Sequence, residues 1–223
     1  MDSFFPRRCV GCGKLGAFIC PECLKKLPRL LPPLCPQCGK PQASGIVCPD
    51  CRRRQTEIDG ISSPFMFDEA IRKAIYELKY RNLKAISSCL AELLADHIRS
   101  NQLDGEALAY VPLHPRRLRE RGYNQSRLLA RELSKRIDLP VVEDSLIRIK
   151  QVQPQVRARD VQERRRNVAD AFVCRDEKVN GKQLILIDDV CTSGATLESC
   201  AVALKSKGVA SVWGLTLARE IYN

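Results

Sequence analysis

Eight of the twelve cysteines fall within the first 51 residues, and they form four C-x-x-C pairs. Two residues between ligands let one tight turn direct both sulfur atoms at the same ion, and two such turns complete a tetrahedral set of thiolates. The pairs are Cys9/Cys12, Cys20/Cys23, Cys35/Cys38 and Cys48/Cys51. We therefore predict a double zinc ribbon with two closed structural sites, or about two zinc ions per chain.

The pairing and the chemistry of these cysteines leave alternatives. The simplest assignment is sequential, with the first four cysteines on one ion and the last four on another, but an interleaved assignment of alternate pairs is also compatible with the spacing. A C-x-x-C pair is in addition the pattern of a dithiol switch, although four pairs without a thioredoxin-like βαβ pattern favour metal ligation. The segment Met1–Cys9 has no apolar signal core. We therefore expect a cytoplasmic protein, in which metal ligation is preferred to disulfides.

Beyond the cysteine-rich segment the pattern changes to α/β, and we place the boundary near Glu57. The prediction is a zinc-ribbon module at residues 1–56 and a larger domain at residues 57–223. Predicted helices are Asp68–Tyr80, Leu83–Arg99, Asn124–Ile137 and Thr196–Lys207, and predicted strands are Ala107–Val111, one or two within Val141–Ile149, Ala171–Cys174, Gln183–Ile187 and Ser211–Leu217. This alternation is typical of an open, mostly parallel sheet covered by helices on both faces. No stretch approaches the roughly 18 apolar residues of a membrane span.

The segment Leu184–Thr196, LILIDDVCTSGAT, carries the most chemical information. Its apolar residues predict a buried strand, and we expect Asp188 and Asp189 at the carboxyl end of that strand, where parallel sheets bind ligands. The following turn is rich in hydroxyl groups and glycine and precedes a helix, whose unpaired N–H groups and dipole favour an anion. Carboxylates for a diol and a cradle for a phosphate together suit a ribose 5-phosphate. A nucleotide P-loop is excluded because its G-x-x-x-x-G-K-[ST] pattern is missing.

The same segment resembles the 13-residue motif with which type I phosphoribosyltransferases bind 5-phosphoribosyl 1-pyrophosphate (PRPP). The resemblance implies that Asp188 and Asp189 hold the ribose hydroxyls and that Thr192–Thr196 surrounds the 5′-phosphate. The PRPP-binding set implied in this way is Asp188, Asp189, Val190, Cys191, Thr192, Ser193, Gly194, Ala195 and Thr196.

Further motifs extend the resemblance to nearly the whole chain. The four C-x-x-C pairs, VPLHPRRLRERGYNQS at Val111–Ser126, RRRN at Arg164–Asn167 and the PRPP motif occur in the order found in the ComF/GntX family. Membership implies a type I phosphoribosyltransferase-like open, mostly parallel sheet with a small N-terminal zinc-ribbon module. It also implies a role in competence and DNA uptake, with a helicase or uptake machinery as partners.

The resemblance to phosphoribosyltransferases also suggests where pyrophosphate binds. In these enzymes a loop after an earlier strand takes that group, and the corresponding loop here is Pro112–Arg117. Lys150–Asn167 corresponds to a mobile lid, and Mg²⁺ bridges the pyrophosphate. Candidate phosphate contacts are Arg116, Arg117, Arg121 and Arg164. The sequence identifies no catalytic residue.

The formal net charge of +11 favours phosphate-bearing partners but does not choose between a small polyphosphate and nucleic acid. We therefore keep three functions open. The first is an enzyme that joins a base or amine to PRPP, with the acceptor unidentified. The second is a module that binds single-stranded DNA with an affinity that falls steeply with salt. The third is a regulator that binds PRPP without turnover.

Overall fold

The computed structural model describes residues 7–54, 56–150 and 170–221. Within these residues the strands in chain order are β1 (Gly60–Ser62), β2 (Phe65–Met66), β3 (Ala107–Tyr110), β4 (Leu146–Arg148), β5 (Phe172–Cys174), β6 (Gln183–Cys191) and β7 (Ser211–Arg219). The main sheet has the order β1-β7-β6-β3, with β2 also paired to β7, and all of its pairings are parallel. Strands β4 and β5 form a separate antiparallel pair.

Helices cover both faces of this sheet. They are α1 (Pro21–Lys25), α2 (Pro49–Arg52), α3 (Glu69–Tyr80), α4 (Ile86–Asn101), α5 (Pro115–Arg121), α6 (Gln125–Ile137) and α7 (Ala195–Lys205). Buried side chains of α3, α4 and α6 pack on one face of β6 and β7. Helix α7 and the β4–β5 pair form the core on the other face. Among the described helices, none has both the length and the apolar character needed to cross a membrane.

Burial explains the sequence patterns of these elements. Helix α3 is amphipathic because Ile71, Ile75 and Leu78 face the core, and Asp68 caps its start by accepting a hydrogen bond from the backbone N–H of Glu69. Strand β6 is almost continuously apolar from Leu184 because helices cover it on both faces.

The structure confirms the predicted α/β class and the mostly parallel sheet, and it differs from the predicted elements in two places near the candidate site. Strand β6 continues to Cys191 rather than ending at Ile187, because β7 pairs with it as far as Arg219. The expected loop Pro112–Arg117 contains the start of α5, whose first turn is capped by His114. The nitrogen Nδ1 of His114 accepts a hydrogen bond from the backbone N–H of Arg116 at 3.3 Å.

Candidate functional site

The two adjacent acids lie where β6 extends beyond its neighbour. Strand β3 pairs with β6 only through Ile187, whereas β7 remains paired to Asp188 and beyond. The edge of β6 that faces β3 is therefore free of strand pairing at the acids, at the carboxyl end of the parallel sheet. Asp188 and Asp189 are nevertheless buried, with 8% and 4% of their surfaces exposed.

Helix α6 supplies the partner of Asp188. The hydroxyl of Ser126 donates to Oδ1 of Asp188 at 2.9 Å, and the backbone N–H of Asp189 donates to the same oxygen at 2.9 Å. Asn124 fixes the start of this helix, because its Oδ1 accepts from the Ser126 N–H and its Nδ2 donates to the carbonyl oxygen of Val111. The helix N-terminus is thereby held against the end of β3.

Helix α3 supplies the partner of Asp189, because the ammonium group of Lys79 forms an ion pair with its Oδ2. Burial and the adjacent charge of Asp189 raise the pKa of Asp188 to about 7. Burial alone would also raise the pKa of Asp189, but the charge and hydrogen bond of Lys79 outweigh it and lower that pKa. The pKa values of the two acids are thus shifted in opposite directions, so Asp189 holds its negative charge more readily than Asp188.

The turn between β6 and α7 has the geometry of an anion cradle. Gly194 precedes the helix with φ of +79°, a conformation that glycine adopts without steric cost. The backbone N–H of Ala195 donates to Oγ of Ser193 at 3.4 Å. Thr192, Ser193 and Thr196 are partly exposed, so a ligand can reach their hydroxyl groups. We call residues 192–196 the phosphate turn.

The predicted basic residues have different surroundings. Arg116 is exposed and its Nε is paired with Glu120 at 2.9 Å, while Arg121 lies over the ring of Tyr80 and donates to Gln125. Arg117 is half-buried, and its charge reaches Arg148 of β4. Arg164 and most of the predicted lid lie outside the described residues.

Arg148 is under the electrostatic influence of both Arg117 and Asp188. Burial and the charge of Arg117 lower the pKa of Arg148, whereas Cys200 and Asp188 act in the opposite direction. Its Nε is buried without a hydrogen-bond partner among the described residues. Arg148 is thus the basic residue on which the charges of both Arg117 and Asp188 act, while Arg116 remains exposed on α5.

A cavity of about 580 Å³ adjoins the phosphate turn. Ser193, Gly194 and Ala195 form one wall of it, and residues of the second half of the ribbon, including Gln37 and Arg54, form another. The remaining walls come from α7 and from the β4–β5 pair. The phosphate turn is therefore accessible from this cavity. The two acids do not line it, and their carboxylates are occupied by Lys79 and Ser126.

The eight N-terminal cysteines form two clusters in sequential order. Cys9, Cys12, Cys20 and Cys23 make up the first cluster, and Cys35, Cys38, Cys48 and Cys51 make up the second, with the sulfur atoms of each within 4.8 Å of one another. The sulfur atoms of Cys12 and Cys20 are 3.6 Å apart, and those of Cys38 and Cys48 are 3.9 Å apart. A tetrahedral zinc site with Zn–S distances near 2.3 Å has edges of about 3.8 Å, so both clusters fit zinc.

Backbone donors favour the thiolate form at the first cysteine of each cluster. Burial by itself raises a thiol pKa, but N–H groups that include those of Cys20 and Cys12 lower the pKa of Cys9 to about 6. The N–H groups of Cys48 and Cys38 likewise lower the pKa of Cys35 to about 7. Thiolates are the form in which cysteine binds metals.

Comparison with known protein families agrees with both the cysteine clusters and the sheet domain. Residues 1–52 match the double zinc ribbon domain family, and residues 124–220 match the phosphoribosyl transferase domain family. The molecule thus combines a double zinc ribbon with a phosphoribosyltransferase-type domain.

Relatives of similar length define the family more narrowly. The chain is 32% identical to competence protein F of Haemophilus influenzae, over 98% of this chain and 100% of that protein. It is 30% identical to competence protein ComFC of Bacillus subtilis, over 91% of this chain and 84% of that protein. It is 29% identical to the DNA utilization protein YhgH of Salmonella typhimurium, over 91% of each chain. The chain belongs to the family of competence protein F and ComFC, which confirms the resemblance inferred from its motifs.

Sequence reasoning missed three side chains at the acid pair. Ser126 ends the GYNQS stretch of the recognised motif, so the motif contained a signal for it. Lys79 and Arg148 lie on elements far apart in sequence from β6, and only the packing of α3 and β4 brings them to the acids. Nothing in their local sequence distinguishes them from surface cations.

Proposed function

We propose that the protein binds the ribose 5-phosphate portion of PRPP, with the ribose diol at Asp188 and Asp189 and the 5′-phosphate in the phosphate turn. The observation that supports this most directly is the order of groups along one strand end. Two carboxylates lie at the carboxyl end of the sheet, and a turn with a positive-φ glycine follows at a helix N-terminus. Donors at such a terminus suit a phosphate, and ionised carboxylates suit hydroxyl donors.

The proposal requires the acid pair to open. Because Lys79 already pairs with Asp189 and Ser126 donates to Asp188, a diol must share these carboxylates with protein donors or replace them. Arg148, on which the charges of both Arg117 and Asp188 act, is the described cation that we propose for the pyrophosphate, with Arg117 beside it. Mg²⁺ would enter with the pyrophosphate, whose oxygen atoms are the ligands that this ion prefers.

The decisive test is calorimetry with PRPP and Mg²⁺. Wild type should bind, and the double variant Asp188→Asn/Asp189→Asn should bind at least about tenfold more weakly, since it loses charge-assisted hydrogen bonds to the diol. Asp176→Asn is the matched control, because Asp176 caps a short 3₁₀ turn and lines neither the acid pair nor the cavity beside the phosphate turn. Equal PRPP affinity in wild type and the double variant would remove the role of the acids.

A second measurement distinguishes an enzyme from a regulator. Pyrophosphate release is followed with a set of purine and pyrimidine bases and with ammonia as acceptors. Release with one acceptor identifies a phosphoribosyltransferase, whereas tight PRPP binding without release from any of them identifies a sensor of PRPP.

We propose two zinc ions as structural components, one in each cysteine cluster, because four sulfur atoms close each site and leave no position for a substrate. Metal analysis of the purified protein should give about two zinc ions per chain. We place this module at residues 1–56 and the sheet domain at residues 57–223, and residues of the ribbon line the cavity that adjoins the phosphate turn.

A second candidate function, binding of single-stranded DNA, has its own supporting observation. The rings of Tyr76 and Tyr80 are 5.0 Å apart, they are 49% and 64% exposed, and Arg121 lies over Tyr80. Adjacent exposed rings beside a cation suit the stacking of successive bases. The relatives named for competence and DNA utilization agree with such a role, and with uptake proteins or a helicase as partners.

Fluorescence anisotropy with a labelled single-stranded oligonucleotide tests this candidate. Tyr76→Ala/Tyr80→Ala should weaken binding by about tenfold or more, because each lost stacking contact contributes on the order of 1–3 kcal/mol. Binding by wild type should also fall steeply between low and physiological salt. Arg99→Gln, which removes an exposed cation of α4, is the control. Equal binding by the tyrosine variant and this control would reject the platform.

A further inference from the structure

Arg219, the last residue of β7, is a buried cation in an unusual position. Only 1% of its surface is exposed, and it is the largest of the fully buried side chains. Its Nη1 donates to Sγ of Cys191 at 2.9 Å, and its Nε has no hydrogen-bond partner in the part of the chain that the structure describes. A buried guanidinium without a carboxylate is costly, and such charges persist where an anion compensates them.

Cys191 connects this cation to the phosphate turn. Arg219 and Cys191 are paired residues on adjacent strands, so their side chains leave the sheet together. The sulfur atom of Cys191 also lies close to Gly194, since it would be 3.9 Å from a Cβ placed on that glycine. A single sulfur atom therefore separates the guanidinium from the backbone on which the phosphate would rest.

The second cysteine cluster is also near the cation, since the charge of Arg219 acts on Cys38. Four thiolates around Zn²⁺ carry a net charge of −2, so the cluster partly compensates Arg219 when metal is bound. The phosphate turn is close to the cation on the side of Cys191, and residues 192–196 contain no carboxylate. A bound phosphate would place Arg219 between two anions.

We propose that Arg219 is a positioning residue that makes the phosphate turn select a phosphate monoester dianion. This inference rests on the proposed function. The guanidinium of Arg219 contributes a full positive charge to the phosphate turn, which otherwise offers only backbone dipoles and hydroxyl groups. The charge acts through Cys191, and it is effective because the low-dielectric interior screens it weakly. A dianion gains more from that charge than a monoanion, so a monoester is preferred to a phosphodiester.

The test compares ribose 5-phosphate with its 5′-methyl phosphate diester, which carries one charge, by calorimetry at pH 8. Wild type should favour the dianion by about tenfold, and Arg219→Gln should lose about 10- to 100-fold in affinity for the dianion and most of this preference. Arg219→Lys should restore the preference. Arg136→Gln is the matched control, because Arg136 is a mostly buried arginine of α6 that pairs with Glu92 and lies on the opposite face.

The outcomes separate this inference from the proposed function. If wild type binds ribose 5-phosphate no better than ribose, the proposed function fails. If wild type binds it and Arg219→Gln retains the preference for the dianion, only the role of Arg219 fails. A role confined to the cysteine cluster would reduce zinc content in Arg219→Gln and leave the preference intact.

A measurement on the unmutated side chain keeps the inference testable even if Arg219→Gln does not fold. In ¹⁵N-labelled wild-type protein, the Nε–H resonance of Arg219, identified by its loss in Arg219→Lys, should shift on titration with inorganic phosphate. It should not shift with ribose. An unchanged resonance at saturating phosphate would overturn the proposal.

Discussion

The two halves of the zinc ribbon have the same local structure. In each half the second C-x-x-C pair contains a proline that begins a short helix, α1 in the first and α2 in the second. The backbone N–H of Cys20 donates to Sγ of Cys9 at 3.3 Å, and that of Cys48 donates to Sγ of Cys35 at 3.3 Å. The difference between the halves therefore lies in what they contact.

The first half packs on the face of the sheet that carries Lys79. Its Ile19 and Leu27 belong to the same hydrophobic core as Leu78 of α3. The second half packs toward the phosphate turn, since a Cβ on Gly39 would lie 2.6 Å from the carbonyl oxygen of Ile61, whose side chain lies beside Gly194. Equal metal clusters thus support different parts of the site, the acid pair in one case and the phosphate turn in the other.

The largest effects on stability should come from two separate variants, each of which removes one metal ligand from one cluster. Cys9→Ser and Cys35→Ser should each lower the zinc content to about one ion per chain and destabilise the ribbon strongly, because structural zinc contributes on the order of 10 kcal/mol in small metal-folded domains. Only Cys35→Ser should also lose affinity for inorganic phosphate, by about tenfold or more, because its cluster adjoins the phosphate turn. The measurements are metal analysis and phosphate calorimetry.

Cys89→Ser, which changes a half-buried cysteine of α4 outside both clusters, is the control for loss of a thiol. Equal loss of phosphate affinity in Cys9→Ser and Cys35→Ser would show that the ribbon acts as one unit, and the comparison between its halves would be wrong.

Lys79→Met should affect the acid pair and leave the phosphate turn unchanged. Breaking a buried ion pair leaves an uncompensated charge on Asp189, so we expect a loss of about 3 kcal/mol in the free energy of unfolding. Affinity for ribose 5-phosphate should fall by about tenfold, because Asp189 loses the cation that holds its carboxylate in place, while affinity for inorganic phosphate stays the same.

Urea unfolding and calorimetry with both ligands measure these effects, and Lys73→Met, an exposed lysine of the same helix, is the control. A parallel loss of affinity for inorganic phosphate would mean that Lys79 supports the whole site.

Two glycines at equivalent positions in the ribbon allow a smaller, matched comparison. Gly13 and Gly39 each follow a C-x-x-C pair with positive φ, but a Cβ on Gly13 would meet nothing within 4 Å. Gly13→Ala should cost about 1 kcal/mol for the left-handed conformation alone. Gly39→Ala should cost about 2–4 kcal/mol and weaken phosphate binding, because the added methyl group displaces Ile61 from Gly194. Thermal unfolding and phosphate titration of the two variants measure the difference, and equal costs would contradict it.

The sequence predicted the parts of the molecule that depend on local spacing. The four C-x-x-C pairs predicted the zinc ribbons, and the apolar run of β6 followed by two acids, hydroxyls and glycine predicted the strand, turn and helix. Such features need only neighbours a few residues away. The end of β6 was missed because its last residues are stabilised by hydrogen bonds to β7, which no local pattern reveals.

The partners of the acids depend on tertiary packing and could not be read in advance. Lys79 is one of many cations, and its proximity to Asp189 requires the fold of α3 on the sheet. Arg219 ends an apolar strand at a place where an exposed arginine would be ordinary, and its burial depends on tertiary packing that no local pattern reveals. Long-range contacts of this kind create the electrostatics of the site.

The last comparison concerns the pH dependence of the free energy of unfolding, and it uses the variant Asp188→Asn. The pKa of Asp188 rises from 3.8 to about 7 on folding, so the unfolded chain releases a proton that the folded protein retains. Stability from this group therefore declines as the pH rises from about 4 to about 7, and the whole penalty is present above pH 7. Asparagine keeps the oxygen that accepts from Ser126 and from the Asp189 N–H but has no such penalty.

Relative to wild type, the variant should gain about 2–3 kcal/mol between pH 5 and pH 8 in urea unfolding, while its affinity for inorganic phosphate stays the same. Asp189 has the opposite effect on the free energy of unfolding, and it acts below pH 5. Because its pKa is lowered in the folded protein, the stability that it contributes is lost only as the pH falls below about 4. A constant difference between variant and wild type across pH 5–8 would mean that Asp188 is already ionised at pH 5. The acid pair would then carry two negative charges beside Lys79, and the distinct roles assigned to Asp188 and Asp189 would be lost.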